Sequence, residues 1–146
     1  MRNKNHIAAF EHSLEQGNHW LGELEERLQL NNREEAYSVL RAVLHTLRDR
    51  LPLDSAVAFA AQLPLILKGT YYDGWLPAGK PLKMHEEAFL DSIEKHITIG
   101  LTLDIHDATI EVFRLLAENL SHGTVDKVSH LLPKRLREDL FAPALR

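Results

Sequence analysis

Displaced by 69 positions, the sequence falls back on itself without a gap. Trp20 meets Phe89, Leu21 meets Leu90, Glu25 meets Glu94, Val43 meets Val112, Leu47 meets Leu116, Leu51 meets Leu120, Leu67 meets Leu136 and Tyr72 meets Phe141. The dipeptide Leu63-Pro64 falls on Leu132-Pro133. A repeat fixes the architecture before any helix is assigned, because each copy must bury the same face in the same way. The two Leu-Pro pairs matter most. Proline lacks an N–H and pushes the residue before it out of the α region, so each pair breaks the chain at the same point of the repeat.

The remaining pattern is helical. Ile7, Phe10 and Leu14 recur at helical spacing, with Asn3 or Asn5 available as cap and Gly17 placed to interrupt or end the helix. Leu21, Leu24 and Leu28 resume the period, so one bent helix or two short ones fit equally. Asn32 with Glu35 has capping-box spacing, and it precedes the stripe Ala36, Val39, Leu40, Val43, Leu47 and Leu51. Asp54 is placed to cap a short Ala-rich helix, and Pro64 suits the start of another that runs toward Tyr72.

Pro77, Gly79 and Pro81 make the stretch after Asp73-Gly74 a linker. Beyond it, Phe89, Leu90, Ile93 and Ile97 mark a helix stopped by Gly100. Ile105, Ala108, Val112, Leu116 and Leu120 mark a longer one, with Asp104 and Asp107 at its start and Gly123 at its end. Thr124 can cap the helix that follows, and Leu132-Pro133 opens the last. The expected fold is all-α. Two tandem four-helix repeats related by a pseudo-twofold pack as one helical-bundle domain over residues 1–146, with repeat one at about 5–75, a linker at about 73–84 and repeat two at about 85–143.

Composition narrows the function classes. The formal net charge is −4, from 17 basic and 21 acidic side chains, and each half carries −2, which weighs against nucleic acid as a partner. Without cysteine there is no disulfide framework, thiolate nucleophile or Cys-ligated metal, and a cytoplasmic location is expected. No apolar run has the length of a signal peptide's core or a membrane span, so no membrane association is expected.

The stretches Trp20-Leu21, Glu35-Ala36-Tyr37, Leu40-Arg41-Ala42-Val43-Leu44-His45 and Leu47-Arg48-Asp49-Arg50-Leu51 carry a resemblance. So do Ala61-Gln62-Leu63-Pro64, Tyr71-Tyr72-Asp73-Gly74-Trp75 and Pro77-Ala78-Gly79-Lys80-Pro81. Through them the chain resembles the bacterial family catalogued as domain of unknown function (DUF) 2267. In the second half Glu87-Ala88-Phe89-Leu90 and Leu131-Leu132-Pro133 resemble that family's repeated unit, although His130 stands where its pattern has Ala-Gln. The resemblance implies an all-helical fold and no activity, substrate or cofactor.

Candidate sites divide by chemistry. Nine histidines invite a metal, notably His12 with His19, Asp104-Ile105-His106-Asp107, and His122 with His130, yet none has a His-Glu-x-x-His spacing; no metal or other cofactor is expected. Ser38, Ser55, Ser92 and Ser129 lack a nucleophile elbow, and Gly79-Lys80-Pro81 lacks the frame of a phosphate loop, so no catalytic residue is assigned. Arg48, Asp49 and Arg50 read as a local ion-pair cluster at a helix end. An enzyme would instead need a pocket where His45, Arg48 and Asp49 converge at the repeat junction. Tyr71 and Trp75 flank the Asp73-Gly74 turn and suit either the core or an interface; with Lys80 in the linker they are the candidate partner-binding residues, since Tyr and Trp join large apolar area to a polar tip. The resulting expectation is a helical interaction or regulatory module without catalytic activity that binds a protein partner or itself. The alternative is a small enzyme or a ligand- or metal-binding protein with its site at the repeat junction.

Overall fold

The computed structural model describes residues 5–98 and 100–145. Among the described residues the chain is helical, with no strand. The first half contains α1 (Ala8–Arg27), α2 (Arg33–Arg50), α3 (Leu53–Ala60) and α4 (Leu65–Tyr72). After the linker come α5 (Glu86–His96), α6 (Ile105–Asn119) and α7 (His122–His130). The last segment starts as α8 (Lys134–Leu136), widens into a π-helical turn at Arg137–Phe141 and ends as α9 (Ala142–Ala144).

Helix α2 is the axis. It packs on α1, α4, α5 and α6, and every residue from Ala42 to Arg48 is buried. The predicted stripe is all in the core, but so is the opposite side, because neighbours surround the helix. The Asn32 side chain accepts the Glu35 N–H at 2.9 Å, and the Glu35 carboxylate accepts the Asn31 N–H at 2.8 Å, one residue before the position a capping box specifies. Buried apolar side chains of both halves form one continuous cluster, from Leu24 and Leu44 to Phe89, Phe113 and Phe141. Phe113 and Phe141 stack with centroids 4.1 Å apart beneath the π turn.

Several local expectations are corrected. Gly17 neither ends nor interrupts α1. It lies buried within the helix, and a Cβ there would come within 2.8 Å of the Ile66 Cγ2, so glycine serves close helix approach rather than a break. The N-cap of α1 is Ile7 rather than Asn5; Asn3 lies outside the described residues. Ile7, Phe10 and Leu14 keep their helical spacing, yet all three are exposed. Asp54 is in the first turn of α3, whose N-cap is Pro52. At the end of α5 the cap is Ile97, so Gly100 is not the stop. Ser121 caps α7 by accepting the Thr124 N–H, placing Gly123 inside that helix rather than at the end of α6.

Caps and mere first-turn acids should separate on mutation. Asn32→Ala is expected to lower unfolding free energy by about 1 kcal/mol, and Asp104→Ala, which removes the acceptor of the Asp107 N–H, by a similar amount. Asp54→Ala removes no cap bond and should cost only about 0.3 kcal/mol. Urea titrations of the three variants check the order.

Candidate functional site

The motif stretch Leu47–Leu51 and the two that run from 71 to 81 meet in space at the C-terminal end of α2. A helix C-terminus leaves carbonyls without partners, and those of α4 end inside the protein. Two side chains one turn apart on α2 satisfy them. His45 donates its Nε2–H to the Thr70 carbonyl at 2.6 Å. Arg48 donates through one terminal nitrogen to the carbonyls of Tyr71, at 2.8 Å, and Asp73, at 3.0 Å, while its Nε lies 3.0 Å from the Asp49 carboxylate. Both His45 and Arg48 are buried. The linker is fastened next: the Leu82 N–H bonds the Asp49 carbonyl at 2.8 Å, and the Arg50 Nε reaches the Met84 carbonyl at 3.4 Å.

The local ion pair expected of Arg48 and Asp49 is present, but the reading of Arg48, Asp49 and Arg50 as no more than a local cluster is corrected. A buried guanidinium cannot go unpaired, and here its donors are spent on main-chain oxygens 23 and 25 residues away as well as on its neighbour. His45, Arg48 and Asp49 do converge, but they converge on backbone. Burial pushes the His45 pKa below its ordinary value; the Thr70 carbonyl opposes this, and Arg48, Arg41 and His96 depress it further.

The expected partner-binding residues sit at different depths. Tyr71 is in the core, fully buried, its hydroxyl donating to the Ala56 carbonyl at 2.8 Å, and burial raises its phenol pKa. From it an aromatic series climbs outward: Phe59 lies 5.5 Å from Tyr71, Tyr71 5.4 Å from Tyr72, and Tyr72 5.5 Å from Trp75. Trp75 is half-buried, and its indole N–H is shielded from solvent without an acceptor. Leu76 beside it is 73% exposed. Lys80 is half-buried, in a turn closed by its own N–H to the Pro77 carbonyl.

Other candidates resolve into local roles. Asp104, His106 and Asp107 bring one potential ligand atom each within 4.8 Å of one another, the only such group among the described residues, but Asp104 is engaged in capping α6. His106 also approaches Glu86, whose pKa is raised by burial and by the carboxyl of Asp139 against the pull of Arg135 and His106. With α1 unbroken, His12 and His19 face one shallow hollow with Glu15 and Asn119. His96 and His130 each direct Nδ1 at a helix carbonyl, of Ser92 at 2.7 Å and Asp126 at 2.8 Å. That nitrogen therefore carries a proton and cannot act as base toward the adjacent Ser92 or Ser129 hydroxyl. His122 is exposed in the first turn of α7, and Ser55 is half-buried in α3.

Two features had no signal in the sequence. Ser13, buried on α1, accepts the Ile66 N–H at 2.6 Å and so caps α4 from another helix. Ser38, 6% exposed, has a hydroxyl with no partner.

The sequence model of an uncharacterized conserved protein family, DUF2267, matches residues 17–138. The curated proteins contain no match. The matched range takes in both α2 with its fastened linker and the whole second half up to the π turn.

Arg48→Met is expected to destabilise the protein by about 3 kcal/mol or more, since it strands two carbonyls and a largely buried carboxylate; chemical denaturation measures it. His45 makes the pH dependence specific. The unfolded imidazole titrates at about 6.5, and native His45 resists the proton, so its contribution is complete above that pH and is lost progressively as pH falls from there through the lowered native value. His45→Gln keeps an N–H donor and should flatten the stability profile between about pH 7.5 and 5 relative to the parent. An identical slope would remove His45 as its source.

Proposed function

The chain belongs to the DUF2267 family, and on that premise we propose that it is a protein-interaction or regulatory module without catalytic activity of its own, acting through the linker face. The observation that carries this reading is Trp75. Its indole N–H is shielded from solvent with no acceptor, while Leu76 next to it stands open. What the face offers a docking chain is the half-buried Trp75 ring beside the open Leu76, apolar area that a partner would cover. Arg48, Asp49 and Arg50 hold the linker in place before any partner arrives, which lowers the ordering entropy of association. Lys80 adds a cation at the same face, and Tyr71 supports it from beneath.

The architecture behind this face we read as one domain built from two tandem four-helix repeats. Helix ends support it: α1 and α5 stop at Arg27 and His96, and α2 and α6 stop at Arg50 and Asn119. Starts recur likewise, at Leu53 and His122 and at Leu65 and Lys134. Each pair is separated by the displacement found in the sequence. The second repeat has no residue matching Arg48, since Ala117 stands there, and Arg114, at the place of His45, donates to the Pro143 carbonyl at 3.2 Å. The fastened linker is therefore peculiar to repeat one. We place the protein in the cytoplasm, with a protein partner or a second copy of itself and neither nucleic acid nor membrane as target; no described helix is long and apolar enough to cross a bilayer.

Trp75→Ala and Lys80→Glu should each abolish capture of a partner from native lysate, or self-association in sedimentation, with less than about 1.5 kcal/mol lost in stability. Retention of both associations by both variants would refute the linker face.

A further inference from the structure

Helices α1 and α4 share an apolar face that nothing in the single chain covers. Ile7, Phe10 and Leu14 follow one another at i, i+3, i+7 along α1, and Leu65 and Ile66 open α4 beside them; each is between 40% and 57% exposed. Phe10, Leu14, Leu65 and Ile66 line a hollow of about 330 Å³ together with Ser13. The five apolar residues leave on the order of 500 Å² open, the upper end of what a monomer shows in one patch and more than half of the roughly 800 Å² that each partner of a stable dimer buries.

The fold does not require apolar residues here. Displaced by 69 positions, Leu65 and Ile66 fall on Lys134 and Arg135, which begin α8 and are both charged and exposed. Nor does the hollow suit a small polar ligand or a charged peptide. No charged residue lines it, and its one polar side chain, Ser13, is spent on the Ile66 N–H at 2.6 Å. What it fits is another surface of its own kind. Phe10, the most exposed of the five, borders the hollow, so ring and depression lie side by side on one patch. A twofold axis needs that arrangement, because the ring of each copy then enters the hollow of the other. Gly69, one turn after Leu65, has nothing within 4 Å of its Cβ position, which leaves the outer backbone of α4 open to close approach.

We propose that two copies of this chain associate about a twofold axis through the α1–α4 face, the Phe10 ring of each packing against Leu65 of the other. An apolar, uncharged patch is the composition that homodimer interfaces favour. No linker residue lines the hollow, and the dimer does not depend on what Trp75 binds.

Sedimentation equilibrium of the full chain should show a dimer with a dissociation constant of about 10 µM or tighter. Phe10→Asp and Leu65→Lys should each weaken it about 100-fold or more by placing a charge in the contact. Both variants should keep the helical circular dichroism of the parent, since both side chains are exposed in the single chain. Mixed in equal amounts, the two variants should form a dimer again. In the mixed pair the new carboxylate of one chain faces the new ammonium of the other, and the second Phe10–Leu65 contact is unaltered. The proposal is overturned if the parent is monomeric at about 200 µM, if either variant dimerises as the parent does, or if the mixture stays monomeric. It is equally overturned if Trp75→Ala abolishes the dimer, which would move self-association to the linker face. A partner captured at Trp75 by a chain that stays monomeric would count against the α1–α4 dimer alone.

Discussion

The guanidinium of Arg48 must find partners because the fold buries it, and the partners it finds are the last carbonyls of α4. Removing a charged group from water costs several kcal/mol unless strong hydrogen bonds replace hydration, and main-chain oxygens at a helix C-terminus are suited to that role. The two needs answer each other. Side chains of α2 close the end of α4 ahead of the turn at Gly74, and α2 carries a buried cation. Asp49 and Arg50 extend the same economy of contacts to Leu82 and Met84, so a linker rich in proline and glycine is held at both ends.

Seen from α2, the polar residues form two tiers. The inner tier, His45 and Arg48, is engaged by backbone carbonyls and, for Arg48, by the Asp49 carboxylate, and belongs to folding. The outer tier, Ser38 and Arg41, lies two turns earlier, where the neighbours thin out and a cavity remains. Asp73 touches both, giving its carbonyl to Arg48 and its carboxylate to Arg41. The linker thus begins at a residue whose backbone is locked and whose side chain is free to exchange.

The sequence was most legible where structure depends on near neighbours. Asn32 with Glu35, the stripe from Ala36 to Leu51 and the two Leu-Pro breaks act within a turn or two of chain, and their signals are local. Arg48 was misread because Arg-Asp-Arg at a helix end looks like solvated ion pairs, and the carbonyls it meets leave no mark in a sequence. Gly17 was misread for a related reason: close helix approach requires knowing that Ile66 arrives there. Ile7, Phe10 and Leu14 show the opposite failure, a correct period with no neighbour to cover it. Of the candidate site, Trp75 and Lys80 were legible as turn and linker residues, whereas Ser38 was invisible, since an unpaired hydroxyl is a property of its surroundings.

Helix α4 is pinned at its start by the Ser13 hydroxyl and the notch over Gly17, and at its finish by His45 and Arg48. Those anchors sit on two different helices that are themselves packed together. The span between them is therefore a fixed gauge length. A substitution on the outer side of α4, at Leu65 or Gly69, leaves that gauge intact, but adding or deleting one residue rotates every later carbonyl by about 100° and takes one set of anchors out of reach. Length, more than composition, is what this segment has to keep.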